Sequence, residues 1–137
     1  MAERMTVRDL MSLKVATVVR KDTVEIADGM MTMGRIRHLP VLDGSEVVGV
    51  LSQRDLFRSV MGAALAYGMG RPQEILRTLE VGDVMTVPAV TIGPEAPVQE
   101  AARAMEEKRI GCLPVIEGGR LVGILTDTDI LRYATSH

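Results

Sequence analysis

Apolar residues fall in the same order twice along this chain. Lys14–Val19 (KVATVV) and Pro88–Ile92 (PAVTI) are short, largely β-branched runs, which predict strands. Each is followed by apolar positions at helical spacing. Val24, Ala27, Met30, Met31 and Gly34 mark one helix within Thr23–Arg35; Val98, Ala101, Ala102, Met105 and Ile110 mark the other within Ala96–Ile110. Thr23 and Pro97 stand where such helices start. HLPVLD and EVVGVLS then flank Gly44-Ser45, while CLPVIE and RLVGILT flank Gly118-Gly119; paired apolar runs around two turn residues predict hairpins. QRDLFRSVMGAALA and DTDILRYA close the two halves as helices. Between them Gly68–Pro72 is a breaker and Pro72–Glu80 a short helix. Met30, Met31, Met33 and Met105, at helical positions, read as core filler rather than as an adaptive ligand surface.

Pro40 and Pro114 stand 74 residues apart, and that offset holds without a gap from Val7/Val81 to Arg58/Arg132. Asp9/Asp83, Met11/Met85, Thr17/Thr91, Gly49/Gly123, Leu51/Leu125 and Asp55/Asp129 all fall on it. The expected fold is therefore mixed α/β (α+β): two pseudo-twofold-related strand–helix–strand–strand–helix repeats. Their expected bounds are 6–62 and 80–134, with a connector at 63–79. About 55 residues would be marginal alone, so the halves are expected to pack through their sheets.

Composition narrows the function. The chain of 137 residues is 47% hydrophobic and 25% charged, ordinary for a globular protein, and its net charge of −2 gives no field to attract nucleic acid or anionic lipid. Phe57, Tyr67 and Tyr133 are the only aromatics, which argues against a base-stacking platform. Cys112 has no disulfide partner, and with only His38 and His137 beside it no metal-ligand spacing arises. MAERMTVRDLM lacks the apolar stretch of a signal peptide, and no apolar run is long enough for a membrane span. A cytoplasmic location is expected, with neither a nucleic acid nor a membrane as partner.

Two constellations carry chemistry. Ser52 with Asp55, and Thr126 with Asp129, sit three apart at strand-to-helix junctions, on one side of a first helical turn. A carboxylate there can accept from both hydroxyls of a ribose cis-diol, a neighbouring hydroxyl can add a bond, and the helix N-terminus favours a nearby phosphate. The same spacing is that of a capping box, so capping and diol binding both remain open. The second constellation is a difference. RIRHLPV (Arg35–Val41) and RIGCLPV (Arg109–Val115) exchange Arg37-His38 for Gly111-Cys112. Arg35 and Arg109 recur and are adequately explained as charged helix ends.

Leu39-Pro40-Val41 with GVLSQRD, and Leu113-Pro114-Val115 with GILTDTD, resemble the motifs of a tandem cystathionine-β-synthase (CBS) domain pair, or Bateman module. The resemblance covers about Thr6 to Tyr133. It implies a non-catalytic regulatory module that binds adenosine-containing ligands (AMP, ADP, ATP, S-adenosylmethionine or NADH) in clefts between the repeats. Ser52, Asp55, Thr126 and Asp129 would hold ribose. Val15, Ala16, Ala89 and Val90, with Pro40 and Pro114 in the LPV segments, would wall the adenine. Arg37 and His38 match positions that meet phosphate in the family, whereas Gly111 and Cys112 do not, which predicts two unequal sites. Asp127 would repel a phosphate unless a cation such as Mg²⁺ intervened; no cofactor is otherwise required. A homodimer is expected, through the closing helices. No enzyme, channel or transporter segment is read beside the repeats, so the expected target is a separate regulated protein or the module itself. The alternative function is a protein–protein interaction module with vestigial clefts. No nucleophile–base set, phosphate-binding glycine loop or metal cluster suggests an enzyme.

Overall fold

The structure, a computed structural model, describes residues 5–68 and 72–136, so Met69–Arg71 of the predicted breaker, and His137, lie outside the described residues. In chain order the elements are α1 (Val7–Leu10), β1 (Val18–Val19), α2 (Val24–Gly34), β2 (His38–Asp43), β3 (Glu46–Ser52) and α3 (Gln53–Tyr67). They continue with α4 (Pro72–Thr78), α5 (Val81–Val84), α6 (Val98–Lys108), β4 (Cys112–Glu117), β5 (Arg120–Thr126) and α7 (Asp127–Ser136). The fold is α+β, and two compact units make it up. One is Ala16–Ala89; the other is Val90–His137 together with Met1–Val15.

These units are not the linear repeats. α1 is built onto the second repeat: Val7 N donates to Ala96 O at 2.9 Å and Val98 N to Met5 O at 3.0 Å. Arg8 there reaches Glu95 at 2.7 Å and Glu117 at 2.6 Å. The α5 segment is built onto the first repeat, with Val81 N on Asp22 O at 2.8 Å and Val24 N on Leu79 O at 2.8 Å. Each repeat thus supplies its leading residues to the other's unit.

Both hairpins form as expected and share one register. His38 faces Ser52 and Pro40 faces Val50; Cys112 faces Thr126 and Pro114 faces Ile124. A bulge follows Val41 in one and Val115 in the other. The second turn needs positive φ at both residues, and Gly118 and Gly119 supply it at 59° and 77°. The first strands are shorter than predicted. Val18–Val19 pairs in parallel with Val41–Leu42, but the second copy contributes only a bridge from Ile92 to Val115. β-branching favours an extended chain without providing a partner, and Pro88 has no N–H to give a ladder.

α2 starts at Thr23, whose hydroxyl accepts from Ile26 N at 3.4 Å, and α6 starts after Pro97. Each buries one face: Val24, Ala27 and Met31 in α2, and Val98, Ala101 and Met105 in α6. Met31 and Met105 are core as predicted, Met30 packs at its edge, and Met33 does not, being 89% exposed. The face repeats every 3.6 residues, so Met33 lands two positions round from Met31.

Both helices end on an arginine in the left-handed region, Arg35 at φ 52° and Arg109 at φ 53°, with the amide closing onto Met31 O and Met105 O. An L-residue pays about 1–2 kcal/mol for that conformation, and glycine does not. Arg35→Gly is therefore expected to raise the urea midpoint, by about 1 kcal/mol in stability after glycine's greater unfolded freedom is deducted.

Candidate functional site

Each unit carries one strand-to-helix corner. In the Ala16–Ala89 unit, Ser52 ends β3 and caps α3. Ser52 N donates to Asp55 Oδ2 at 2.9 Å, and Asp55 N donates to Ser52 Oγ at 3.0 Å. His38 stands opposite Ser52, and Gln53 N donates to Arg37 O at 2.8 Å, so the hairpin register brings the basic pair to this corner. Arg37 is exposed and His38 half-buried. A third side chain joins them. Thr86 Oγ1 donates to the Asp55 carboxylate, 3.2 Å from Oδ1 and 3.1 Å from Oδ2.

In the other unit, Thr126 ends β5. Thr126 N donates to Asp129 Oδ2 at 2.8 Å, Thr126 Oγ1 donates to the same oxygen at 3.1 Å, and Asp129 N lies 3.4 Å from Thr126 Oγ1. Cys112 stands opposite Thr126, and Asp127 N donates to Gly111 O at 2.9 Å, so Gly111-Cys112 fills the place that Arg37-His38 fills in the first unit. The capping box is present at both corners, yet it uses mainly one carboxylate oxygen. Among the described residues nothing donates to Asp129 Oδ1. Asp9, Leu10, Arg132 and Tyr133 line, with Asp129, an open groove of about 280 Å³, near the low end of small-molecule sites.

The glycine of each G-x-x-[ST]-x-x-D motif belongs to the corner's frame. A Cβ on Gly49 would meet Met85 Sδ at 2.7 Å and Thr86 O at 3.0 Å; on Gly123 it would meet Met11 Sδ at 2.7 Å and Ser12 O at 3.0 Å. That closeness lets a second segment bridge the strand. Val50 N–Thr86 O and Thr86 N–Val50 O span 3.1 and 2.9 Å; Ser12 N–Ile124 O and Ile124 N–Ser12 O span 2.9 and 3.0 Å. The sequence reading passed over Ser12 and Thr86. They lie on the 74-residue offset, directly after the paired Met11 and Met85, and that was the available signal.

The apolar residues expected around adenine are placed less uniformly. Pro40 and Pro114 are fully buried, so neither side chain reaches solvent. Val15, Ala16, Ala89 and Val90 are half-buried and keep some surface to offer. Unit boundaries fall between Val15 and Ala16 and between Ala89 and Val90. Among the described residues no group of three or more His, Cys, Asp or Glu could hold a metal, and no helix is long and apolar enough to cross a membrane.

Cys112 is buried at the head of β4, and burial first, then the charge of Asp127, pushes its thiol up to about 12. In the unfolded chain a thiol titrates at about 8.5, so the folded state holds this proton more tightly. The stabilisation is complete below that pH and is lost as pH rises through the folded value. Stability is expected to decline from about pH 8.5 towards pH 12, less steeply in Cys112→Ala. Urea titrations across that range measure it, and native protein at pH 8 should resist thiol reagents until unfolded.

Residues 7–62 and again 81–136 match the CBS domain family model. The chain belongs to the CBS domain family. Its two matches make it a tandem CBS pair. It is 35% identical to the inosine-5′-monophosphate dehydrogenase of Korarchaeum cryptofilum, over 99% of this chain but 24% of the dehydrogenase. The chain therefore spans about a quarter of that relative. With hypoxic response protein 1 of Mycobacterium tuberculosis it shares 30% identity over 96% of this chain and 87% of the relative. A crystal structure of hypoxic response protein I with two coordinated zinc ions aligns with TM-score 0.72 at 31% identity, covering 94% of this chain and 98% of that one. A CBS domain pair crystallised with 5′-methylthioadenosine and S-adenosyl-L-methionine aligns with TM-score 0.78 at 26% identity, covering 98% of each chain.

Proposed function

We propose that this CBS pair is a non-catalytic regulatory module that binds adenosine-containing ligands, with one ribose-binding aspartate in each unit. The observation that carries the reading is the Asp129 corner, where the donors among the described residues all sit on Oδ2 and Asp129 lines a groove. A diol needs two acceptor positions, and an oxygen with two lone pairs supplies them. The complex of a related CBS pair with 5′-methylthioadenosine and S-adenosyl-L-methionine supports the ligand class.

Charge separates the two sites in this reading. Arg37 and His38 favour a phosphorylated ligand at the Asp55 corner. Gly111 and Cys112 carry no charge to offer, and Asp127 beside them opposes a phosphate unless Mg²⁺ accompanies it. The Asp129 site is accordingly the one for less charged adenosine compounds. Ligand acts by shifting the population of arrangements towards the one it binds better. A second copy of the chain is the proposed occupant of the stripe Phe57, Met61 and Leu65 on α3, three large side chains four apart and 63%, 45% and 82% exposed.

Native mass spectrometry of freshly purified protein, followed by calorimetric titration with AMP and adenosine, tests the reading. The expected result is a dimer carrying an adenosine compound, with two unequal binding steps and AMP preferred over adenosine at one of them. Saturation at a hundred times Kd should add about 2.7 kcal/mol of stability. Protein that binds neither AMP, ATP nor S-adenosylmethionine, with an unmoved thermal midpoint, leaves the protein–protein interaction module in its place.

A further inference from the structure

We infer that Thr86 is a built-in competitor at the Asp55 corner: its hydroxyl occupies the carboxylate that a ribose would use, making this corner the weaker nucleoside site of the two. The inference rests on the ligand reading above. A carboxylate has about four lone-pair positions. At Asp55, Ser52 N takes one on Oδ2, and the Thr86 proton is shared between Oδ1 and Oδ2. A diol approaching Asp55 finds both oxygens engaged. At Asp129 both donors come from Thr126 and crowd onto Oδ2, leaving Oδ1 without a donor among the described residues.

The two corners differ in a side chain, not in a backbone. Ser12 occupies the position of Thr86 and makes the equivalent bridge, to Ile124 instead of Val50. Its hydroxyl turns the other way and donates to Lys14 O at 3.4 Å. Threonine is stiff at χ1 because two heavy atoms sit on Cβ, whereas serine rotates more freely. Thr86 is exposed, so when a ligand displaces it the hydroxyl bonds to water. The competition therefore costs a modest factor rather than abolishing binding.

Adenosine is the probe, because without a phosphate it does not draw on Arg37 and His38. Asp129→Asn reports the Asp55 corner, and Asp55→Asn reports the Asp129 corner. We expect adenosine to bind Asp55→Asn more tightly than Asp129→Asn. Adding Thr86→Val to Asp129→Asn should tighten binding by about three- to tenfold, the worth of one ordinary hydrogen bond. Adding Thr86→Ser should tighten it less, since a hydroxyl remains. Adding Ser12→Val to Asp55→Asn should change nothing. If Thr86→Val leaves adenosine affinity unchanged or weakens it, Thr86 is no competitor and this inference is overturned while the ligand reading stands. If the wild-type chain binds neither adenosine nor AMP, the ligand reading itself fails and takes the inference with it.

Discussion

The Asp129→Asn chain is expected to lose more than about tenfold in affinity at one of its two adenosine-binding steps while staying folded. The substitution keeps the shape of the side chain and removes its charge. An amide oxygen still accepts from Thr126 N, where the carboxylate now sits 2.8 Å away, so most of the cap survives. Towards a diol the change is larger. A carboxylate accepts from both hydroxyls, while an amide turned to keep the cap presents its NH2, a donor, where Oδ1 stood. Charge-assisted hydrogen bonds are worth about 1.5–3 kcal/mol each, and losing one is a factor of ten or more. The cap as a whole is worth about 0.5–2 kcal/mol, and Asn keeps part of it. Thr126→Ala gives the opposite split, because it removes a hydroxyl bonded to Asp129 and leaves the carboxylate in place. Calorimetry and urea unfolding on the two variants separate binding from capping. Unchanged adenosine affinity in both Asp129→Asn and Asp55→Asn would show that these carboxylates only cap their helices.

Much of this arrangement was legible before the structure, for local reasons. The hairpins themselves follow from two-residue turns at Gly44-Ser45 and Gly118-Gly119, but counting from them would set His38 opposite Leu51 and Cys112 opposite Leu125. The bulges after Val41 and Val115 shift each pair by one, to Ser52 and Thr126. Helix faces follow from spacing, and Met33 departs because it lies two residues, about 200° of helical turn, from the buried Met31. What sequence did not reveal is non-local. α1 and α5 are four-residue helices, too short for a periodic signal, and the exchange of leading segments between repeats depends on which surface buries Val7 or Val81. Both valines are wholly buried, each in the core formed with the other repeat's residues. The same exchange hid Thr86, which sits 31 residues from Asp55 and reads as an ordinary turn residue until the bridge to Val50 is seen. Within the first unit, the acid at the same corner as Arg37-His38 is Asp55.

Gly49→Ala and Gly123→Ala are each expected to cost about 1–3 kcal/mol of stability. The added methyl would stand 2.7 Å from a methionine sulfur and 3.0 Å from a backbone oxygen at either site. The sulfur is the flexible neighbour, since Met11 and Met85 can turn aside at some loss of packing. The oxygens of Ser12 and Thr86 cannot move without stretching a bridge that holds the exchanged segment onto the strand. The consequence is therefore directional. Gly49→Ala displaces Thr86 and with it the hydroxyl on Asp55; Gly123→Ala displaces Ser12, which does not touch Asp129. Both variants should lower the urea midpoint by similar amounts, because the two contacts are alike to within 0.1 Å. Only Gly49→Ala should also alter adenosine binding, and at the Asp55 step alone. Equal stability loss with equal disturbance of both binding steps would mean that the glycines serve the ligand directly, and that the bridges they permit are incidental to it.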